Sequence, residues 1–221
     1  VKTVTDAGVE DRFDYNAALL FRPQENVLPP QPDRYQKMHL VPFTEHFPYK
    51  KTFPAIYEAL VANDTHFWEK GTDPTVFSVN GLDFSVPICF EDTFGYITRR
   101  FARHGAKLFV NMSNDAWAKS VACQYQHLSM SVFRAVETRL PMVRATASGQ
   151  TAAIDPHGHI TAMMQPFIEG YLCVDVPAFT TNSNTWYVLW GDILGLAAAI
   201  AAVCLLIIGS VRTILNSRKT A

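Results

Sequence analysis

Cys89 is the residue of this chain whose surroundings most strongly predict chemistry. It ends the apolar run Val86-Pro87-Ile88 and is followed by Phe90 and by the two carboxylates Glu91 and Asp92. A thiol at the end of a buried strand, with acids beside it, has the placement of a nucleophile. The competing interpretation is structural, because free cysteine is among the most buried residue types. The choice between them depends on whether other segments supply partners.

The elements around Cys89 alternate between strand-like and helix-like stretches. This alternation predicts an α/β domain whose sheet is covered by helices. Asn80-Gly81 joins two β-rich segments and predicts a hairpin turn just before the thiol. The predicted strands are Tyr15–Phe21, Thr75–Val79, Leu82–Ile88, Lys107–Met112, Met142–Ala147, Thr151–Ile154 and Tyr171–Val176, and the predicted helices are Pro54–Val61, Phe94–His104 and Ala122–Arg139.

Near its end the chain contains the uncharged stretch Ile193–Val211. As a helix, a stretch of this length spans the roughly 30 Å hydrocarbon layer of a bilayer. Trp186, Tyr187 and Trp190 precede it, as an interfacial aromatic belt would. The rival interpretation is a buried core helix, but the length, the absence of polar breaks and the aromatic flank favour a transmembrane helix at 193–211.

The charges that flank this span predict its orientation. Asp192 precedes it, whereas Arg212, Arg218 and Lys219 follow it. Because positive residues stay on the cytoplasmic side, residues 212–221 are predicted to form a cytoplasmic tail. In a bacterium, residues 1–180 then form a periplasmic domain, joined through a linker at 181–192 to the helix in the inner membrane.

Composition excludes several function classes. The formal net charge of −1 gives no reason to expect a nucleic acid partner. The four cysteines, Cys89, Cys123, Cys173 and Cys204, show no spacing typical of metal ligands, so a zinc site is not expected. No cofactor is expected either, because nucleophilic chemistry at a thiol needs no metal. A disulfide between Cys123 and Cys173 stays open at this stage.

Five groups of short strings occur in a fixed order before the apolar span. They are Arg34–Glu45, Ile88–Asp92, Asn111–Trp117, Gln126–Leu128 with Arg134–Glu137, and Arg144–Thr146 with Gly149. Their order resembles that in the bacterial apolipoprotein N-acyltransferases, which are membrane-embedded members of the nitrilase (carbon–nitrogen hydrolase) superfamily. The resemblance implies part of a nitrilase-like α-β-β-α sandwich, followed by one C-terminal transmembrane helix.

The resemblance also implies a set of site residues. Cys89 would be the nucleophile that forms a thioester, and Lys37 the cation that stabilises the oxyanion. The backbone N–H of Phe90 would be a second oxyanion donor. Glu45 would keep Lys37 protonated and oriented, and Glu91 would support the same network. The alternatives are a Lys37 side chain that merely reaches solvent along apolar surface, and two solvated surface acids.

The catalytic base of the family is a glutamate upstream of the lysine motif. Neither Glu10 nor Glu25 has the expected sequence context, so the base is expected upstream of Val1. The chain also begins without Met and without an export signal. It is therefore predicted to be the C-terminal part of a longer protein and to be inactive by itself.

The implied reaction transfers a fatty acyl group from a membrane phospholipid to the N-terminal amine of the lipid-modified cysteine of apolipoproteins. Trp117 would line the acyl pocket, with core packing as the alternative. His127 and the Arg134–Glu137 pair are interpreted as structural, and Asn114-Asp115 as a turn that supports the site. Two rival functions remain: a membrane-tethered amidase or nitrilase acting on small C–N substrates, and a non-catalytic membrane-anchored fragment.

Overall fold

A computed structural model describes most of the chain, namely residues 2–4, 10–23, 31–63, 65–177 and 184–217. Glu25, Arg218 and Lys219, which entered the sequence predictions, lie outside the described residues, as do Val1 and residues 181–183 of the predicted linker. The predictions that depend on them therefore stay predictions.

The main sheet has six strands in the order β10-β9-β8-β7-β6-β5. The pairs β6–β7 and β7–β8 are parallel. The pairs β5–β6, β8–β9 and β9–β10 are antiparallel. The bounds are β5 Phe77–Val79, β6 Leu82–Ser85, β7 Leu108–Asn114, β8 Met142–Ala147, β9 Ala152–Ile154 and β10 Ile160–Met163. This mixed sheet places the ends of β6 and β7 side by side, next to Cys89.

The hairpin predicted from Asn80-Gly81 is confirmed as the β5–β6 connection. Asn80 has φ 52° and Gly81 has φ 82°, so both residues occupy the left-handed region that a two-residue hairpin turn requires. Asparagine and glycine are the residues that adopt this region at least cost, which is why the local sequence was sufficient.

Two helices connect the parallel strands. Helix α2 (Gly95–Arg103) joins β6 to β7, and helix α3 (Val121–Thr138) joins β7 to β8. They pack on each other, and their buried faces share one core with the sheet. That core includes Ile97 and Phe101 of α2, Leu128 of α3, and Phe109 and Met142 of the sheet. Both helices were predicted to within one residue at each end.

The remaining soluble elements are short. Two antiparallel pairs lie outside the main sheet, β1 (Lys2–Val4) with β2 (Glu10–Arg12), and β3 (Ala17–Leu20) with β4 (Asp33–Gln36). A 3₁₀ helix covers Cys89–Thr93, and helices α1 and α4 cover Pro54–Ala62 and Trp186–Trp190.

The predicted and observed strands differ at several places. The predicted strand Tyr15–Phe21 appears as β3, but its antiparallel partner β4 was not predicted. Strands β1, β2 and β10 were not predicted either. The predicted strand Tyr171–Val176 was wrong, because these residues pair with no strand of the described chain, and Tyr171 is largely exposed.

Helix α5 (Ile193–Ser217) extends the predicted membrane segment. Its part Ile193–Arg212 has a mean hydropathy of 2.6 and is long and apolar enough to cross a membrane. None of that segment is buried against the rest of the described chain, which argues against the rival interpretation of a buried core helix.

Candidate active site

A cavity of about 1000 Å³ opens at the edge of the sheet where β6 and β7 end. Its walls come from the start of β3, the loop that contains Val41 and Glu45, the turn at Cys89, the end of β7 and the first turns of α3. The wall is mostly apolar, with residues such as Ile88, Phe90, Met112 and Met130. The site therefore combines the Cys89 thiol with room for a sizeable apolar group.

Cys89 occupies a strained position at the start of its 3₁₀ helix. The chain leaves β6 in an extended form, Ile88 forms a parallel bridge with Met112, and Cys89 then turns with φ 53°. A left-handed φ at a residue other than glycine is uncommon, and it recurs where a side chain must be presented at a site. The Asn111 amide holds the turn by donating to the carbonyl groups of Pro87 and Cys89, each at 3.1 Å.

Lys37 lies directly after β4 and is buried together with its charged end. Its side chain is 0% exposed, and Nζ donates to Glu45 Oε1 at 2.9 Å and to Glu45 Oε2 at 2.8 Å. The alternative that this lysine merely reaches solvent is therefore wrong. Backbone hydrogen bonds from Lys37 N to the Asn16 carbonyl and from Gly71 N to the Lys37 carbonyl fix the segment on both sides.

Glu45 connects this buried cation to the cavity. It accepts from Val41 N at 2.8 Å and from the Asn16 amide at 3.3 Å, in addition to both bonds from Lys37. Its side chain is 12% exposed and lines the cavity, so it is not a solvated surface acid. A buried charge without a partner is costly, and the Glu45 carboxylate supplies the counter-charge for Lys37.

Glu91 is fully buried, and its hydrogen-bond partners differ from those of Glu45. Its carboxylate accepts from Tyr35 Oη at 2.7 Å, from the backbone N–H groups of Met38 and His39 at 2.7 and 2.9 Å, and from Ile88 N at 2.8 Å. All four donors are neutral. Burial raises the pKa of Glu91 and the hydrogen bonds oppose that rise. Glu91 thus ties the turn of Cys89 to the segment after Lys37 through backbone amides.

Phe90 and Trp117 both line the cavity, at different depths. Phe90 follows Cys89 in the 3₁₀ helix, and its ring packs edge-on against Phe94 with centroids 4.9 Å apart. Trp117 lies in the loop between β7 and α3 and is 72% exposed at the cavity wall. Core packing, the alternative for Trp117, is therefore wrong.

The sequence does not predict a polar cluster that lies next to the turn at Cys89, on the side opposite Lys37 and Glu91. The His127 ring lies between Asp92 and Asp115, and Arg144 reaches the same two carboxylates. No local pattern predicts the cluster, because its members come from the 3₁₀ helix, the end of β7, α3 and β8. His127 and Arg144 lie within the strings that carry the family resemblance. Those strings predict only a structural role for His127 and no role for Arg144.

The other predicted contacts of this region are present. Arg134 Nη2 donates to Glu137 Oε1 at 2.7 Å, and Asn114 Oδ1 accepts from Ala116 N in a local turn. The four cysteines are free, with Cys123 in the cavity wall and Cys173 exposed. Within the described ranges, no group of three or more His, Cys, Asp or Glu residues is arranged to hold a metal ion.

Comparison with known proteins gives matches along most of the chain. A sequence model described as carbon-nitrogen hydrolase matches residues 3–183. The chain is 56% identical over 218 residues to apolipoprotein N-acyltransferase 1 of Treponema pallidum, covering 99% of this chain and 40% of that protein. It is 55% identical over 202 residues to apolipoprotein N-acyltransferase 1 of Treponema denticola, covering 90% of this chain and 37% of that protein. The resemblance inferred from the motifs is confirmed.

A solved structure, Saccharomyces cerevisiae Nit3, a member of branch 10 of the nitrilase superfamily, is 20% identical and gives a TM-score of 0.48. The match covers 69% of this chain and 49% of Nit3. The chain thus spans well under two thirds of the length of the relatives that it matches.

Proposed function

This chain belongs to the carbon–nitrogen hydrolase family, and from that membership we propose that it is part of a membrane-bound acyltransferase whose nucleophile is Cys89. The proposed reaction moves a fatty acyl group from a membrane phospholipid to the N-terminal amine of the lipid-modified cysteine of an apolipoprotein. The observation that carries the proposal is the strained Cys89 in an apolar cavity whose wall includes the ion-paired Glu45. The names of the two Treponema relatives support the same class of reaction.

In the first step, the Cys89 thiolate attacks the ester carbonyl carbon of the phospholipid. A C–S bond forms, and the carbonyl electron pair moves onto oxygen to give a tetrahedral oxyanion. The oxyanion then collapses, the C–O bond of the ester breaks, and the departing alkoxide takes up a proton to become a lysophospholipid. The product on the protein is a thioester, which divides one difficult transfer into two easier steps.

In the second step, the neutral amine of the acceptor attacks the thioester carbonyl. A C–N bond forms, the nitrogen loses a proton, and the C–S bond breaks to regenerate the Cys89 thiolate. The product is an amide. An apolar cavity suits both steps, because a fatty acyl chain must stay out of water while it is held on the sulfur.

We assign the stabilisation of the oxyanion to the Lys37 ammonium and to the backbone N–H of Phe90. A preorganised cation in a site that excludes water stabilises developing negative charge more strongly than water does. Glu45 pairs with Lys37 through two hydrogen bonds of 2.8 and 2.9 Å, which hold the ammonium group in place. Glu91 holds the backbone on both sides of this arrangement, and Trp117 at the cavity wall contacts the acyl chain.

The proposal needs a base for the thiol proton and a fixed position at the bilayer. We expect the base to be a glutamate in the part of the longer protein upstream of Val1. Helix α5 supports a membrane location, because Ile193–Arg212 is long and apolar enough to cross a bilayer. The positive residues after it favour a cytoplasmic C-terminus and a periplasmic cavity in the bacterial inner membrane.

The test is to capture the acyl intermediate in the full-length protein, reconstituted in phospholipid vesicles without an acceptor. Mass spectrometry of the peptide that contains Cys89 is expected to show one added fatty acyl group, which hydroxylamine removes. Cys89→Ala is expected to abolish the adduct and to lower acyl transfer to a lipopeptide acceptor by about 10³-fold or more. Cys123→Ala is the matched control, since Cys123 is a second half-buried thiol in the same cavity wall.

An adduct on Cys123 rather than Cys89, or retained transfer by Cys89→Ala, would overturn the assignment of the nucleophile. If phospholipid leaves no acyl group on Cys89, the acyl donor is wrong. If the adduct forms but water removes it as fast as the lipopeptide amine does, the protein is a hydrolase. That outcome favours the tethered amidase or nitrilase.

A further inference from the structure

A polar cluster at the wall of the cavity centres on the ring of His127, which lines the cavity together with Asp115. Its Nδ1 lies 2.9 Å from Asp115 Oδ2, and its Nε2 lies 2.7 Å from Asp92 Oδ1. The other oxygen of Asp92 accepts from Arg144 Nη1 at 2.6 Å and from Ser131 Oγ at 2.7 Å. Asp92 and the Arg144 side chain are fully buried, and Asp115 is nearly so. The ring therefore joins two carboxylates that come from different elements.

The geometry determines the protonation state of the ring. An ionised carboxylate only accepts hydrogen bonds, so each ring nitrogen must carry a proton to bond to its carboxylate. With both protons present, the cluster contains two carboxylates and two cations and is neutral. Removing one proton would leave a buried negative charge without compensation, which is costly. Burial of the ring lowers the pKa of His127, but the hydrogen bonds to Asp115 and Asp92 outweigh burial and raise it to about 9.

We propose that His127 is a positioning residue, held as an imidazolium between Asp92 and Asp115, that fixes the turn carrying Cys89. Asp92 follows Cys89 by three residues in the same 3₁₀ helix, so the bond to His127 anchors that helix to α3. Asp115 directly follows β7, the strand that contains Asn111, and the Asn111 amide donates to the Cys89 carbonyl. The inference rests on the proposed function only in treating Cys89 as the reacting thiol.

Charged and titratable groups lie around the ring on several elements. Asp92 on the 3₁₀ helix and Asp115 after β7 contact it, Arg144 on β8 contacts both carboxylates, and Cys89 and Cys123 line the same cavity as His127. A histidine whose pKa is raised in the folded state stabilises the fold fully below its unfolded pKa of about 6.5. That contribution is lost as the pH rises through about 9. The order of the turn should therefore decline toward alkaline pH.

The first measurement is the protonation of the His127 ring in the full-length protein. Nitrogen NMR with ring-labelled histidine, with the signal assigned by its loss in His127→Gln, is expected to show two N–H groups at pH 7.5 and a transition near pH 9. The second measurement is the alkylation rate of Cys89 by a small maleimide, which reports the placement of the thiol without requiring acyl transfer.

His127→Gln is expected to slow Cys89 alkylation and to lower kcat by about 10- to 100-fold while KM stays within about threefold. The double variant His127→Gln with Asp115→Asn removes one charge of each sign. It is expected to recover most of the alkylation rate, because the buried cluster is neutral again. His159→Gln is the matched control: His159 lies 2.9 Å from Asp155, but its side chain is 77% exposed, so no effect is expected.

The proposal is wrong if either ring nitrogen lacks a proton at pH 7.5, or if His127→Gln alkylates and turns over at the rate of the unchanged protein. If His127→Gln fails to fold, the double variant with Asp115→Asn provides the test. Charge balance predicts that the double variant folds better than the single one, so equal or poorer folding contradicts the proposal. A protein that passes the NMR and alkylation tests but forms no acyl thioester refutes the proposed function and leaves the positioning role of His127 intact.

Discussion

Glu91 and Asp92 are consecutive residues of the 3₁₀ helix that carries Cys89, and both are fully buried, yet they bind different kinds of partner. Glu91 accepts from a phenol and from three backbone N–H groups. Asp92 accepts from the guanidinium of Arg144, from His127 and from Ser131. One carboxylate has only neutral donors, whereas its neighbour belongs to a charge-balanced cluster.

The difference shows how the turn of Cys89 is fixed from two sides. Glu91 ties it to the backbone that follows Lys37, and Asp92 ties it to α3 and β8. Neutral donors satisfy the oxygens of Glu91 but do not offset the cost of burying its charge, which is why its pKa is raised. Asp92 has counter-charges at hydrogen-bond distance. Removing its charge therefore leaves cations unbalanced, and removing the charge of Glu91 does not.

The largest expected effect tests this comparison directly with amide substitutions. Asp92→Asn leaves Arg144 and His127 facing one carboxylate, and we expect the free energy of unfolding to fall by about 3–5 kcal/mol. Glu91→Gln keeps an acceptor but exchanges one acceptor oxygen for an NH₂ group, and we expect a loss of about 1–3 kcal/mol. Chemical denaturation of the detergent-solubilised protein measures both. Equal losses, or a larger loss for Glu91→Gln, would contradict the division into neutral and charged partners.

Effects smaller than that of Asp92→Asn are expected when one donor is removed on each side. Tyr35→Phe deletes the hydroxyl that bonds to Glu91 but keeps the ring packed on Phe101, whose centroid lies 5.2 Å away. We expect a loss of about 1.5–3 kcal/mol, because a buried carboxylate without a counter-charge loses one of four donors. Ser131→Ala removes a donor from Asp92, which keeps Arg144 and His127, and about 1 kcal/mol is expected. The same denaturation experiment decides, and the reverse ranking would argue against the comparison.

The secondary structure near Cys89 was predictable because its signals are local. The Asn80-Gly81 turn, the apolar periodicity of α3 and Gly105 shortly after α2 are sequence signals that each extend over only a few residues. Strand β4 was not predicted because β3 and β4 form a separate two-stranded sheet. The formation of β4 depends on pairing with β3 more than on the composition of β4 itself. Tyr171–Val176 shows the converse, since alternating residues do not form a strand without a partner.

The site was predictable only in part, for the same reason. Cys89 could be named from its place at the end of an apolar run, and Lys37 and Glu45 because their string resembles that of a known family. The partners of Glu91 are mostly backbone amides, which leave no trace in side-chain identity. The cluster of Asp92, His127 and Arg144 joins residues dozens of positions apart. Such contacts follow from the packing of α3 on the sheet and can be read only from the fold.

The smallest expected effect uses the same substitution at an exposed ion pair. Asp33 Oδ2 lies 2.5 Å from Arg22 Nη1 on the β3–β4 hairpin, with side chains 52% and 31% exposed. Water screens this pair, so we expect Asp33→Asn to cost about 0.2–1 kcal/mol, against about 3–5 kcal/mol for Asp92→Asn. Raising the ionic strength from about 0.1 M to about 1 M shortens the screening length from roughly 10 Å to roughly 3 Å. The cost of Asp33→Asn should then approach zero while that of Asp92→Asn stays the same, because no salt reaches a buried cluster. If salt reduced the cost of Asp92→Asn equally, the cluster around His127 would have to be open to solvent, and the contrast between the two neighbouring carboxylates would fail.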